Sequence, residues 1–143
     1  MILKRFIPLL LCIFLIAACG RSDPQAALNA AVKNLQTSLE KKDTNAVMTL
    51  LHPDFSAQQP ENNREWAKQT MTLMFLRYKN INVIALSQDS RIDSRIPSRA
   101  FTDANVALTG AEGLIPDRAQ HYQVKLEWRL VDKDWKLIRL QWE

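Results

Sequence analysis

The sequence predicts an α+β fold in which helices come first and pack on a sheet of antiparallel strands. Three observations carry this reading. Leucine and valine recur at helical spacing between residues 24 and 41. The apolar period changes after Asn80. Between His121 and Val131, Tyr122, Val124, Leu126, Trp128 and Leu130 alternate with mostly polar residues, the mark of a half-buried strand. Helices followed by strands, rather than interleaved with them, exclude a βαβ arrangement.

The chain opens with Lys4 and Arg5 ahead of an apolar run from Phe6 to Ala18. A bilayer span needs about 20 apolar residues, so this shorter run suits the core of a signal peptide. Ala17 and Ala18 are the small residues a signal peptidase prefers, and Ile16-Ala17-Ala18-Cys19 resembles the bacterial lipobox. The expected division is a lipoprotein signal peptide over 1–18, a lipidated tether over 19–23 and one folded domain over 24–143. Cys12 leaves with the signal, and Cys19 is expected to become the new N-terminus and carry acyl chains such as palmitate. Each buried CH₂ is worth about 0.8 kcal/mol, so two or more chains anchor firmly where one does not. No thiol then remains for a disulfide within the chain, although the envelope would permit one. Gly20 stands where lipoproteins kept in the inner membrane typically carry Asp. The expected location is therefore the outer membrane, facing the periplasm.

The formal net charge is +4, and losing Lys4 and Arg5 lowers it to +2. A balance this close to neutral gives no support to a nucleic-acid partner. The expected contacts are the membrane, through the anchor, and an apolar ligand or an envelope protein, with the domain a monomer or weak dimer.

The elements follow in order. Asp23 makes an N-cap with Pro24 at the first helical position, and Leu28, Val32, Leu35 and Leu39 carry this helix to about Lys41. Asp43 caps a shorter helix with Val47, Leu50 and Leu51, which stops before Pro53. Asn62 and Glu65 have capping-box spacing for a third helix, with Trp66, Thr70, Met71, Met74, Phe75 and Tyr78 on its buried face. Strands are expected over 81–86, 101–108, 121–131 and 135–142. If 132–134 form a three-residue loop, Val131 faces Trp135 and Trp128 meets Ile138. Leu126 then meets Leu140 and Val124 meets Trp142 on the core face, with Glu127 opposite Arg139 and Lys125 opposite Gln141 on the wet face.

With these elements the chain resembles a nuclear transport factor 2-like domain, the cystatin-like cone shared with ketosteroid isomerases. The resemblance covers nearly all of 24–143. Its most telling parts are the segment from Leu39 through Asp43 to His52-Pro53-Asp54-Phe55 and the hairpin from Trp128 to Leu140. It implies helices and a curved antiparallel sheet enclosing a conical pocket. The isomerases of this fold place a base carboxylate after the second helix, a tyrosine on the first, and an acid on the third strand. Aligned on Asp43, the base position holds Gln59 and the tyrosine position Leu35, and the inward positions of the strand hold Tyr122, Val124, Leu126, Trp128 and Leu130. The isomerase constellation is absent.

Other chemistries have little to work with. His52 and His121 lack metal-ligand spacing, and no metal or cofactor is expected. With three glycines, Gly20, Gly110 and Gly113, no phosphate-cradling loop can be built. His121 belongs on the wet face of its strand. His52 with Asp54 forms the candidate catalytic pair, against a plain role at a helix end. Phe55, Trp66, Tyr78, Tyr122, Trp128 and Trp142 are candidates to line a ligand pocket, although aromatics at these periods also serve as core. Arg91, Arg95 and Arg99 stand four apart in a small Ser-Arg repeat. They form either a partner-binding edge or a charged edge that discourages strand addition.

The expected function is a non-catalytic, periplasm-facing lipoprotein module that binds an apolar small molecule or an envelope partner. The competing readings are an isomerase or hydrolase using the pocket, and a scaffold whose cone is filled by its own side chains. Mass spectrometry of membrane-extracted protein is expected to find a chain starting at Cys19 with added acyl mass; a soluble mature form with an unmodified Cys19 thiol would overturn the anchor.

Overall fold

The computed structural model describes residues 23–111 and 120–143. The signal segment and Cys19 lie outside the described residues. Helix α1 (Pro24–Glu40) and helix α2 (Thr44–Leu50) lead into strand β1 (Leu51–Ala57) and helix α3 (Arg64–Arg77). Strands β2 (Asn80–Ile92), β3 (Arg99–Ala111), β4 (Gln120–Val131) and β5 (Asp134–Trp142) follow.

Local chemistry sets the helix ends. The Asp23 carboxylate accepts from the Gln25 amide at 3.0 Å, with Pro24 beside it at the start of α1. Lys42 turns left-handed at φ 54°, and its ammonium donates to the Phe75 and Tyr78 carbonyls, tying the α1–α2 corner to the end of α3. Asp43 caps α2 through the Ala46 amide at 2.9 Å. The cap of α3 is Asn63, one residue later than the capping-box spacing predicts. Its side-chain oxygen accepts from the Glu65 and Trp66 amides. The Asn62 carbonyl is engaged elsewhere, closing the preceding loop on the Ala57 amide at 2.9 Å. On α3, Ala67 is the buried residue; Trp66, Thr70, Met71, Phe75 and Tyr78 are half-buried, while Met74 is 40% exposed and does not belong to the covered face.

The five strands form one curved sheet in the order β1-β5-β4-β3-β2. It is mixed, because β1 runs parallel to β5 while the other neighbours are antiparallel. Strand β1 is the element that the sequence reading lacks. Pro53 reads as a helix stop and cannot donate to a ladder, yet an edge strand tolerates it, and the β1–β5 register is irregular between Leu51 and Ser56.

The last hairpin departs from the expected turn. Its loop has two residues, Asp132 and Lys133, with Asp132 at φ 56°, so Val131 pairs with Asp134 and Leu130 with Trp135. Trp128 therefore meets Leu137 rather than Ile138. Ile138 is a bulge, and past it Glu127–Arg139, Leu126–Leu140, Lys125–Gln141 and Val124–Trp142 pair as the alternation predicts. A second bulge at Leu86 interrupts the β2–β3 ladder between Ala85 and Ser87.

The packed core lies where α1 and α2 cross the base of the sheet, around Leu28, Phe55, Trp128, Trp135 and Leu137. Trp128 is fully buried. Its indole N–H donates to Thr102 Oγ1 at 3.2 Å, and that hydroxyl lies 2.9 Å from Ser90 Oγ, which joins β2, β3 and β4 in one polar chain. Trp135 ties the hairpin to the start of α1 by donating to the Pro24 carbonyl. Trp128→Ala is expected to cost about 3–5 kcal/mol in urea unfolding, because a large buried ring and the donor to Thr102 are both lost. A loss below about 1 kcal/mol would show that the ring is not what fills this base.

Candidate functional site

Beyond the packed base, the helices and the sheet enclose a cavity of about 480 Å³. Leu35 and Leu39 of α1, Trp66 and Met71 of α3, and Leu140 and Trp142 of β5 supply much of its wall. No Asp, Glu, His, Lys or Arg is among its described lining residues. Most polar groups that reach it are already engaged. Gln36 donates from Nε2 to the Val83 carbonyl at 2.7 Å, Thr102 is held between Trp128 and Ser90, and the Tyr122 hydroxyl bonds to Gln120. Among the described residues, the exposed members of the wall are Ala85, Gln88 and Leu108. The mouth therefore opens on β2 and β3, away from the β1 edge.

The structure divides the aromatic candidates. Phe55, Trp66, Tyr122 and Trp142 line the cavity. Trp128 does not; it lies beneath the floor, with Thr102 between its indole and the cavity. Tyr78 does not line it either. It caps the C-terminus of α3, and its ring packs against Gly110, where an added Cβ would come within 2.8 Å of it. Leu35, which stands at the tyrosine position of the isomerases, is part of the wall, whereas Gln59 lies in a separate polar depression beside Asp54, Arg139 and Gln141.

His52 and Asp54 are neighbours, but neither lines the cavity. His52 lies in β1 rather than at a helix exit, because α2 ends at Leu50. Its Nδ1 accepts the Asp54 backbone N–H at 3.0 Å, so that nitrogen is not donating to helix carbonyls. The Asp54 carboxylate stands 3.9 Å away with its side chain 86% exposed. His121 is exposed on the outer side of β4.

The three arginines occupy two settings. Arg91 and Arg99 are on the outer face, each near the Phe101 ring, at 5.8 and 4.8 Å from its centre. Arg91 bridges Asp103 at 2.7 Å and Asp89 at 3.1 Å, two carboxylates that stand directly opposite each other and would otherwise repel. Arg99 pairs with Glu127 at 2.9 Å, and Arg129 approaches the same carboxylate at 3.5 Å. Arg95 lies in the turn between β2 and β3. There the Asp93 carboxylate accepts from the Arg95 and Ile96 amides.

No protein-family description and no curated protein matches this sequence. Solved structures do. A member of the nuclear transport factor 2-like family from Streptomyces avermitilis, a suggested dehydratase, superposes with a TM-score of 0.70 at 13% identity, over 82% of this chain and 93% of that one. A nuclear transport factor 2-like protein from Cytophaga hutchinsonii gives 0.68 at 17% identity, over 85% and 98%. The fold is the nuclear transport factor 2-like cone. A larger Bdellovibrio bacteriovorus protein shares it, with a TM-score of 0.69 at 14% identity over 81% of this chain; the chain spans 40% of that protein's length. Identities this low establish the fold alone, and leave the cavity and its chemistry to this chain's own residues.

Among the ionisable groups, the β2–β3 turn makes a defined prediction. The Arg95 N–H donating to Asp93 holds that carboxyl below its ordinary range, helped by the Ile96 N–H and the charges of Arg99 and Arg95 and opposed by partial desolvation. A depressed folded-state value means that this carboxylate stabilises the fold above the ordinary carboxylate range, and that the contribution fades as pH falls through the lowered value. An NMR titration is expected to place the Asp93 midpoint below that of an unstructured Asp. Asp93→Asn, which keeps the acceptor oxygen but not the charge, is expected to flatten the acid limb of the stability curve. An ordinary midpoint would overturn this account of the turn.

Proposed function

We propose that this cone is a non-catalytic binding module, carried as a lipoprotein on Cys19 at the outer membrane and facing the periplasm, which takes an apolar small molecule into its cavity. The observation that carries the binding reading is the void itself. A volume of about 480 Å³ falls within the range of small-molecule sites, and among the described residues its wall is mainly apolar and carries no Asp, Glu, His, Lys or Arg. A scaffold filled by its own side chains would leave no such space. The anchored, periplasmic setting is supported by the order of cationic start, apolar core, small residues and Cys19.

The enzyme reading draws on the suggested dehydratase among the similar structures and on the His52–Asp54 pair. General acid–base catalysis needs the base within hydrogen-bond reach of the substrate, and this pair stands outside the cavity wall. An envelope protein reading the Arg91, Arg95 and Arg99 face is a weaker proposal for Arg91 and Arg99, since acids of the same face already neutralise them.

Native mass spectrometry of the purified domain is expected to show a co-purifying apolar molecule. Ala104→Leu, which places a larger side chain on the cavity wall, is expected to displace that molecule without loss of thermal stability. His52→Ala is expected to leave binding within a few-fold of wild type. If His52→Ala abolished a measurable turnover while the fold stayed intact, the enzyme reading would replace this one.

A further inference from the structure

We infer that Gln88 is the group that recognises the polar end of the bound molecule, and that this end is uncharged: a hydroxyl, carbonyl or similar group on an apolar body. The inference rests on the reading of the cone as a binding cavity and adds the chemical class of what it holds.

The bulge at Leu86 puts Gln88 where it is. Val83 and Ala85 line the cavity, so an unbroken strand would bring Ser87 to that face next. The extra residue shifts the alternation, and Gln88 lines the cavity instead. The shifted register is the inner one from there on: Ser90 bonds to Thr102, and Ile92 packs on the core. Helix α1 pins β2 on both sides of this stretch. Gln36 and Glu40 take the carbonyl and the amide of Val83, and Gln25 takes the carbonyl of Ser90.

Of the three exposed wall residues, Ala85 and Leu108 are apolar, and Gln88 is the polar one. Its side-chain amide has no hydrogen-bond partner among the described residues, and it offers both a donor pair and an acceptor. A molecule entering apolar end first leaves its polar end at this mouth. An amide can replace the water around a hydroxyl or carbonyl. It cannot replace the hydration of a carboxylate or ammonium, and the described residues of the wall supply no counter-charge.

The test uses three probes that share one apolar body: pyrene, 1-pyrenemethanol and 1-pyrenecarboxylate. Two of the four tryptophans, Trp66 and Trp142, line the cavity, so quenching of tryptophan fluorescence reads occupancy. Gln88→Met keeps the length of the side chain and removes its hydrogen bonds, and thermal unfolding checks that the variant folds. The variant is expected to bind the alcohol roughly three- to tenfold more weakly than wild type while binding pyrene equally well. Wild type is expected to bind the carboxylate at least about tenfold more weakly than the alcohol. If Gln88→Met left alcohol binding unchanged while pyrene still bound, the assignment to Gln88 would fail and the binding cavity would stand. Equal binding of carboxylate and alcohol would overturn the uncharged class alone. If none of the three probes bound to wild type, the cavity reading would fall and this inference with it.

Discussion

Two strands of the sheet each carry one residue too many, and the continuity of the inner face depends on it. Side chains alternate along a strand with period two, so one extra residue exchanges the two faces for everything beyond it. On β5, Trp135 and Leu137 are buried; without the bulge at Ile138, Arg139 and Gln141 would follow them inward, and Leu140 and Trp142 would turn out to water. On β2, Val83 and Ala85 face the cavity; without the bulge at Leu86, Asp89 and Arg91 would follow. Each unbulged register would bury unpaired charge and expose apolar side chains, a cost far above that of one interrupted ladder step. The bulges also add local bend and twist, which suits a sheet that wraps around a cavity.

The two ends of the cone are finished differently by the side chains assigned to them. At the base, indoles and leucines meet beneath α1, and the Trp128–Thr102–Ser90 chain satisfies the polar atoms caught there. Above Thr102 the inward positions of β3 are Ala104 and Val106, too small to reach the helices opposite. The void begins there. It survives because the surrounding backbone is held by hydrogen bonds that do not depend on filling it. Polar side chains of α1 clasp the β2 edge, and the Lys42 ammonium holds the end of α3. The clasp also occupies backbone groups on an edge strand that would otherwise be open to strand addition.

Most of the element order was legible because it rests on local signals. Asp23 with Pro24, and Asp43 ahead of α2, cap their helices by contacts within three residues. The β4–β5 faces were legible because a one-residue slip would mix them. Three features were not. Strand β1 runs parallel to its partner and draws its ladder from residues some eighty positions away, so nothing in the His52-Pro53-Asp54 stretch announces it. The turn at Asp132–Lys133 is one residue shorter than the spacing suggests, because Ile138 absorbs the difference further along. The place of Gln88 is hidden for the same reason: its inward orientation depends on Leu86 being skipped, which the period of the sequence does not encode. Among the aromatics, Trp66 and Trp128 occupy equally apolar positions. Whether such a position becomes wall or core depends on the size of the residue facing it across the cone, which is a property of the assembled fold.

The same parity argument explains why the cavity holds so little chemistry. On the outer face Asp89, Arg91, Asp103, Arg99 and Glu127 neutralise one another around Phe101. They stand there because the alternating positions, apolar or neutral and hydrogen-bonded like Ser90 and Thr102, are turned inward. Strands that sort their residues this cleanly leave the described inner positions of β2 and β3 without acid or base. A polar group reaches the cavity from β2 only where the sorting is broken, which is what the bulge does for Gln88. The amide it delivers is neutral, with both donor and acceptor, and stands at the mouth rather than in the depth of the void. A proton-transfer site would need a carboxylate or imidazole at such a break. This break carries a group suited to recognising a hydrogen-bonding end and unsuited to moving a proton.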